Sequence, residues 1–230
     1  MNGAVVLMAG GNIHGRMLVE ALVRAGRPPQ LVINEVGTPR AGRLERFLEN
    51  DFDSPPPLSS LGIDVAEVPA YDSQDAFALI HSRTPQFLIN GGCGIFRQPL
   101  LDVATPLNAH PGLLPGFRGL DPVLWSVFRK SPVGATVHVM SEGIDEGPIL
   151  LARPMPWKGA STLLELRLQC MRWGAALLAE YLADPERFPP RNQSPDEGEY
   201  FGAFPEDKVA EAAANLATYE RTAGGNALKE

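Results

Sequence analysis

Ala4-Val5-Val6-Leu7-Met8-Ala9-Gly10-Gly11-Asn12 is a short apolar run closed by two glycines and an asparagine, and Met17, Leu18, Ala21 and Leu22 then recur at helical spacing until Gly26. The run reads as a strand, the glycines as a turn and the recurrence as a helix packed through one face. Working outward, Leu31 to Asn34 predicts a second strand, followed by a charged helix from about Gly42 to Asn50. Asp53-Ser54-Pro55-Pro56-Pro57 must break both kinds of element, because consecutive prolines sustain neither helix nor sheet hydrogen bonding. Ile63 to Val68, Phe87 to Asn90 and Pro106 to Asn108 predict further short strands, with helices near Ser73 to Ser82 and across Pro99 to Val103. Alternation of this kind implies an α/β fold on a largely parallel sheet.

In the second half, Pro122 to Lys130 reads as a helix with Leu124 and Phe128 on one face, and Val133 to Met140 and Pro148 to Met155 as two strands flanking a loop. Thr162-Leu163-Leu164-Glu165 fits a capping box and opens a helix to about Ala183. Its Leu163, Leu166, Cys170, Trp173, Leu177 and Tyr181 recur at spacings of three and four, which predicts core packing. Residues 184 to 203, rich in Pro, Asn, Asp and Gly, are expected to be an irregular connection. A last helix is expected over about Glu206 to Glu220, with Thr222 to Glu230 frayed. The expected organisation is a catalytic domain over residues 1–190 and a C-terminal extension, loop plus helix, over 191–230.

A chain of 230 residues with 44% hydrophobic content can bury a substantial core. Its net charge of -7 argues against a protein that lives on phosphate contacts, so no nucleic-acid partner is expected. Cys93 and Cys170 lie far apart and outside any Cys-x-x-Cys pattern, which suits a reducing compartment. Met1-Asn2-Gly3-Ala4 leads straight into an apolar strand without the basic region of a signal peptide, and no segment approaches the ~20 apolar residues of a membrane span. A cytoplasmic location is expected, no membrane partner is, and a homodimer is left open.

Two further stretches carry chemistry. Asn108-Ala109-His110-Pro111-Gly112-Leu113-Leu114-Pro115 is followed by Gly143-Ile144-Asp145-Glu146-Gly147-Pro148-Ile149. Together they supply an amide, an imidazole and a carboxylate, the groups that acyl transfer to an amine needs: a donor for a developing oxyanion, a tunable ring and a group that orients it or moves protons. In an open parallel sheet such groups collect beyond the carboxyl ends of the strands, and Asn108 and His110 are expected immediately after a strand ending near Leu107. Each residue alone would equally suit an ordinary turn. His14, His81, His110 and His138 show no metal-binding spacing, so no metal is expected.

The order Asn-x-His-Pro-x-Leu-Leu-Pro, Arg118-Gly119, Gly134-Ala135-Thr136-Val137-His138 and Asp145-x-Gly147-Pro148-Ile149 resembles the folate-dependent formyltransferase family, over roughly residues 1 to 190. The resemblance implies a Rossmann-like open sheet of the formyltransferase type and transfer of a formyl group from 10-formyltetrahydrofolate to an amine. Asn108, His110 and Asp145 match the family's three catalytic positions, and His138 matches one that is frequently structural. Asn90, Gly91, Gly92, Cys93, Gly94 and Ile95, with Phe96 beside them, match the segment that lines the pterin slot, and Ile144 joins them on the donor side. That stretch also reads as a plain glycine turn. Gly11, Asn12 and His14 lie where an anion would meet helix-terminal amides, and Arg118 offers a fork of donors to an acceptor or stands as a solvated loop charge. The acidic charge and the lack of a following basic β-rich domain point away from a tRNA acceptor and toward a small-molecule amine. A folate-binding protein without turnover, a 10-formyltetrahydrofolate hydrolase and a homo-oligomeric scaffold are the alternatives.

Overall fold

A computed structural model of the chain describes residues 3–9, 12–36, 57–156 and 159–226. In chain order it forms β1 (Ala4–Ala9), α1 (Ile13–Arg24), β2 (Leu31–Glu35), β3 (Val65–Val68), α2 (Gln74–Arg83), β4 (Phe87–Asn90), α3 (Leu100–Val103), β5 (Thr105–His110), β6 (Phe117–Gly119), α4 (Pro122–Phe128), β7 (Gly134–Val139), β8 (Ile149–Pro154), α5 (Leu163–Ala183), β9 (Glu199–Phe201) and α6 (Val209–Asn226). Seven strands make one sheet in the order β3-β2-β1-β4-β5-β7-β8. β1 to β5 are parallel, and β7 and β8 continue the sheet antiparallel. The α/β, mostly parallel fold read from the alternation is therefore the observed one.

β1 is apolar without alternation because both of its faces are covered. Val6 joins a core with Leu18 and Leu22 of α1 and Leu166, Leu177 and Leu178 of α5. Val5 and Leu7, facing the other way, pack with Ile80 of α2, Phe96 and Leu100. Each buried Val, Leu or Ile contributes roughly 1.5–3 kcal/mol of transfer free energy, so the central strands set the frame for everything at their ends. Asn12 caps α1 by accepting from the His14 N–H at 2.7 Å, and Ser73 caps α2 through the Ala76 N–H at 3.3 Å. Thr162 caps α5 through the Glu165 N–H, while the Glu165 carboxylate reaches back to the N–H of Ser161, one residue beyond the expected box.

Several expectations are corrected. β5 runs on through His110, so Asn108 and His110 belong to the strand rather than following it. β3 starts at Val65, at the sheet edge. The connection over 184–203 contains β9, which pairs in parallel with β6 as a separate two-stranded ribbon. Phe201 anchors that ribbon by stacking on Phe117 at 5.4 Å and against Trp125 at 4.9 Å between ring centroids. α6 extends to Asn226 instead of fraying from Thr222. Its Ala212, Leu216 and Tyr219 join the main core, and the Tyr219 hydroxyl accepts from the Val133 N–H and donates to the Ser131 carbonyl. The helix expected over Gly42 to Asn50 and the break over Asp53 to Pro56 lie outside the described residues, as does Gly11. Among the described residues no helix is long and apolar enough to cross a membrane.

Candidate active site

Side chains two apart on a strand share a face, so β5 presents Asn108 and His110 together at its carboxyl end. The antiparallel neighbour β7 sets His138 directly opposite Asn108 and Thr136 opposite His110. Thr136 fixes the turn after β5: its hydroxyl donates to the Gly112 carbonyl at 2.8 Å and accepts from the Leu114 N–H at 3.0 Å. Asp145 enters from the connection between β7 and β8, on a backbone with φ of 55°, a left-handed conformation that few side chains adopt.

Around Asp145 the contacts are dense. One carboxylate oxygen, Oδ2, accepts from the Gly119 N–H at 2.9 Å and stands 3.5 Å from His110 Nδ1. The other, Oδ1, lies 3.4 Å from His138 Nε2 and 3.5 Å from Asn108 Nδ2. The backbone carbonyls decide the tautomers, because a carbonyl can only accept. His110 Nε2 lies 2.7 Å from the Phe117 carbonyl and carries its hydrogen there, leaving Nδ1 bare toward Asp145 when the ring is neutral. His138 Nδ1 donates to the Val139 carbonyl at 2.9 Å, so its Nε2 accepts from the Asn108 amide at 3.2 Å. Burial pushes the His110 ring below its usual range despite the neighbouring carboxylate. Burial alone would raise Asp145, but His110, His138 and the Gly119 N–H outweigh it and hold the carboxyl well below the usual carboxylate range. At neutral pH the pair is one proton short of a complete hydrogen bond, which suits it to receive a proton.

A cavity of about 400 Å³ opens over this cluster, lined among others by His14, Asn90, Gly92, Gly94, Ile95, Leu120, Ile144 and Tyr200. That size is typical of small-molecule sites, which run from about 300 to 1,000 Å³. Asn90 turns its side chain inward: its oxygen accepts from the Gly92 and Cys93 N–H groups and its amide donates to the Gly94 carbonyl, so the cavity is offered glycine backbone. Gly91 and Cys93 are buried beneath that loop, and Phe96, beside the segment matched to the pterin slot, lies wholly in the core. Asn12 is occupied by its cap and by a bond to the Gly92 carbonyl at 3.4 Å. His14 reaches the cavity, its Nε2 buried without a hydrogen-bond partner, and burial followed by the charges of His110 and Arg167 pushes it down to about 4.

Arg118 is no solvated loop charge. It is buried, paired with Glu146 at 3.1 Å and bonded to the Gly198 carbonyl at 3.2 Å. Three groups that sequence reasoning left out also belong here. His138 touches both Asn108 and Asp145; its position opposite Asn108 on an antiparallel neighbour was the available signal. Gln193 donates to the carbonyls of Asp145 at 2.9 Å and Gly147 at 2.6 Å, clamping the Asp145 turn. Tyr200 stands over the cavity from β9. Among the described residues no group of His, Cys, Asp and Glu is arranged to hold a metal ion.

Residues 80–178 match the family model described as formyl transferase. A methionyl-tRNA formyltransferase from Rhizorhabdus wittichii is 34% identical over 189 residues, covering 80% of this chain; the chain spans 60% of that relative's length. A sugar N-formyltransferase from Shewanella sp. FDAARGOS_354 shares the fold with a TM-score of 0.63 at 21% identity, over 94% of this chain and 88% of the other. The formyltransferase PseJ from Anoxybacillus kamchatkensis, solved with UDP-4,6-dideoxy-4-formamido-L-AltNAc and tetrahydrofolate, does so with a TM-score of 0.52 at 21% identity, over 90% and 88% of the two chains. The matched segment contains Asn108, His110, His138 and Asp145, and over it the chain is similar in sequence to the formyl transferase family.

Proposed function

We propose that the chain is an enzyme that transfers a formyl group from 10-formyltetrahydrofolate to the amine of a small-molecule acceptor through a tetrahedral intermediate. The observation that carries this is one carboxylate, Asp145, held between the rings of His110 and His138 with the Asn108 amide beside it, all at the sheet end under the cavity. The donor supplies an electrophilic formyl carbon and a nitrogen leaving group, and the tetrahydrofolate held by PseJ supports that choice. A flat heterocycle fits the glycine edges at Gly92 and Gly94 with Ile95 and Ile144 against its faces.

Attack by the neutral amine forms a carbon–nitrogen bond and sends an electron pair to the formyl oxygen. Asn108 meets that oxygen by releasing its bond to Asp145, which at 3.5 Å is the weakest in the cluster, while its bond to His138 keeps the amide oriented. The proton leaving the amine settles on His110 Nδ1, where Asp145 stabilises the second ring hydrogen. Collapse breaks the bond to the folate nitrogen, and the same proton passes to it. His14 and Asn12 at the start of α1 are read as the acceptor side, together with Gly11, which precedes them in sequence, while Arg118 acts on the site through Glu146 and the Gly198 carbonyl. Although the Rhizorhabdus relative is named for a tRNA acceptor, the net charge of -7 favours a small molecule.

Thermal unfolding with and without the unreactive analogue 5-formyltetrahydrofolate tests the donor site without knowledge of the acceptor. At 100 times the dissociation constant, stabilisation of about 2.7 kcal/mol is expected, followed by tetrahydrofolate release when amines are screened. Absence of any shift at saturating analogue sinks the reading, and tetrahydrofolate release without an amine makes the chain a hydrolase.

A further inference from the structure

Gly94 and Ile95 form a wall with space on both of its faces. On one side lies the cavity over Asp145, and on the other a second cavity of about 570 Å³, bounded by Tyr71, Phe77, Arg97 and Leu100. Ile95 itself is 44% exposed. A segment with so little packed against it opens at small cost in free energy, so its position depends on the hydrogen bonds that hold it.

Two neighbouring carbonyls carry such bonds. The Gly94 carbonyl accepts from the Asn90 amide at 2.7 Å, at the end of β4, and the Ile95 carbonyl accepts from the Tyr71 hydroxyl at 3.1 Å. Tyr71 comes from the connection between β3 and α2 and stands behind the wall, in the second cavity. Its other attachments lie in the frame of the fold. The ring stacks on the buried Phe96 at 6.2 Å between centroids, and the backbone N–H is held at 3.1 Å by the buried carboxylate of Glu35, the last residue of β2. Tyr71 is thus a post, fixed at its base and touching the wall with its tip.

We infer that Tyr71 is a positioning residue for the donor: through the Ile95 carbonyl it sets where the Ile95 side chain stands, and so the width of the slot that takes the flat ring of the folate. The inference rests on the formyl-transfer reading. A slot already at the right width binds a rigid heterocycle without first having to close on it, which is a gain in affinity and not in the rate of any chemical step.

Tyr71→Phe removes the hydroxyl alone, since the stack on Phe96 and the backbone bond to Glu35 both survive it. The test measures the Kd of 5-formyltetrahydrofolate by titration calorimetry for the wild type, Tyr71→Phe, Ile95→Ala and the double variant. Tyr71→Phe should raise the Kd about three- to tenfold, the range of one net hydrogen bond, with the melting temperature of the unliganded protein unchanged. In the Ile95→Ala background the same substitution should change the Kd less than about twofold, because the side chain that the post aims is gone. An unaltered Kd in Tyr71→Phe overturns the inference. So does an equal loss in both backgrounds, since the hydroxyl would then meet the donor itself, and so does a loss of affinity that comes with a lower melting temperature, since Tyr71 would then serve the fold. The wild type separates the two failures: donor bound equally by wild type and Tyr71→Phe defeats the post alone, whereas no binding by the wild type defeats formyl transfer and the post with it.

Discussion

The end of the central sheet and the wrap formed by residues 191–201 meet at the same turn, yet they hold it by different means. The sheet end contributes side chains: Asn108, His110 and His138 point at the Asp145 carboxylate from paired strands. The wrap works on backbone. Gln193 grips the carbonyls of Asp145 and Gly147, Gly198 offers its carbonyl to Arg118, and the N–H of Gly119 meets the carboxylate from the strand that β9 pairs with. A group that reacts must be a particular side chain at a particular place. A group that braces needs only a donor or acceptor in reach, so its residue type leaves a weaker trace in the sequence.

If that division holds, the largest effect belongs to the sheet end. Asp145→Asn keeps the size of the side chain but removes the charge facing His110 and His138. Formyl transfer should fall by roughly 100- to 10,000-fold, while 5-formyltetrahydrofolate still raises the melting temperature. A loss below tenfold in initial rate would show that the carboxylate is no more than another brace.

Acid should expose the same contrast in stability. His14 is held neutral by burial and its neighbours down to about 4, against 6.5 when unfolded, and His110 is also lowered. Between those values the unfolded chain binds more protons than the folded one. The stability these rings contribute is therefore complete above pH 6.5 and lost as pH falls toward 4. Asp145, lowered as well, adds a loss only below its ordinary value of 3.8. Melting temperature followed from pH 7 to pH 4 should fall, and His14→Gln should flatten the slope. An unchanged slope in the variant would mean that His14 titrates normally in the folded protein.

The next effect lies away from the site, where α6 fastens to the sheet. Tyr219→Phe strands the buried Val133 N–H that the hydroxyl now serves, and denaturant unfolding should show a loss of about 1–3 kcal/mol. A smaller loss would show that the helix is held by Ala212 and Leu216 alone.

The sheet was legible because β1, β2 and β4 carry apolar runs that only a strand covered on both faces needs, and α5 because its apolar positions recur at three and four. β6 and β9 were not legible: strands of three residues show too few alternations to declare a period, and Phe201 is fixed by Phe117 and Trp125, far away in sequence. Asn108, His110 and Asp145 stood out as residue types, and the structure brings their side chains together. The place of His138 needed the antiparallel register of β7 on β5, and Gln193 sits in a stretch whose composition suggests only a connection.

Gln193 is accordingly the finest test of the contrast. Its amide donates to two carbonyls that flank the strained Asp145 backbone, so Gln193→Ala removes the clamp while leaving every reacting group in place. A carboxylate that wanders by a fraction of an ångström loses part of the benefit of being prepositioned. A drop in kcat of about tenfold is expected, with little change in melting temperature because Gln193 is only partly buried. Gln193→Glu sharpens the result: it matches the shape but has no hydrogen to give to either carbonyl, so it should be at least as slow as Gln193→Ala. If Glu restores the rate, the side chain matters through its packing, and the wrap does not brace the turn through the backbone.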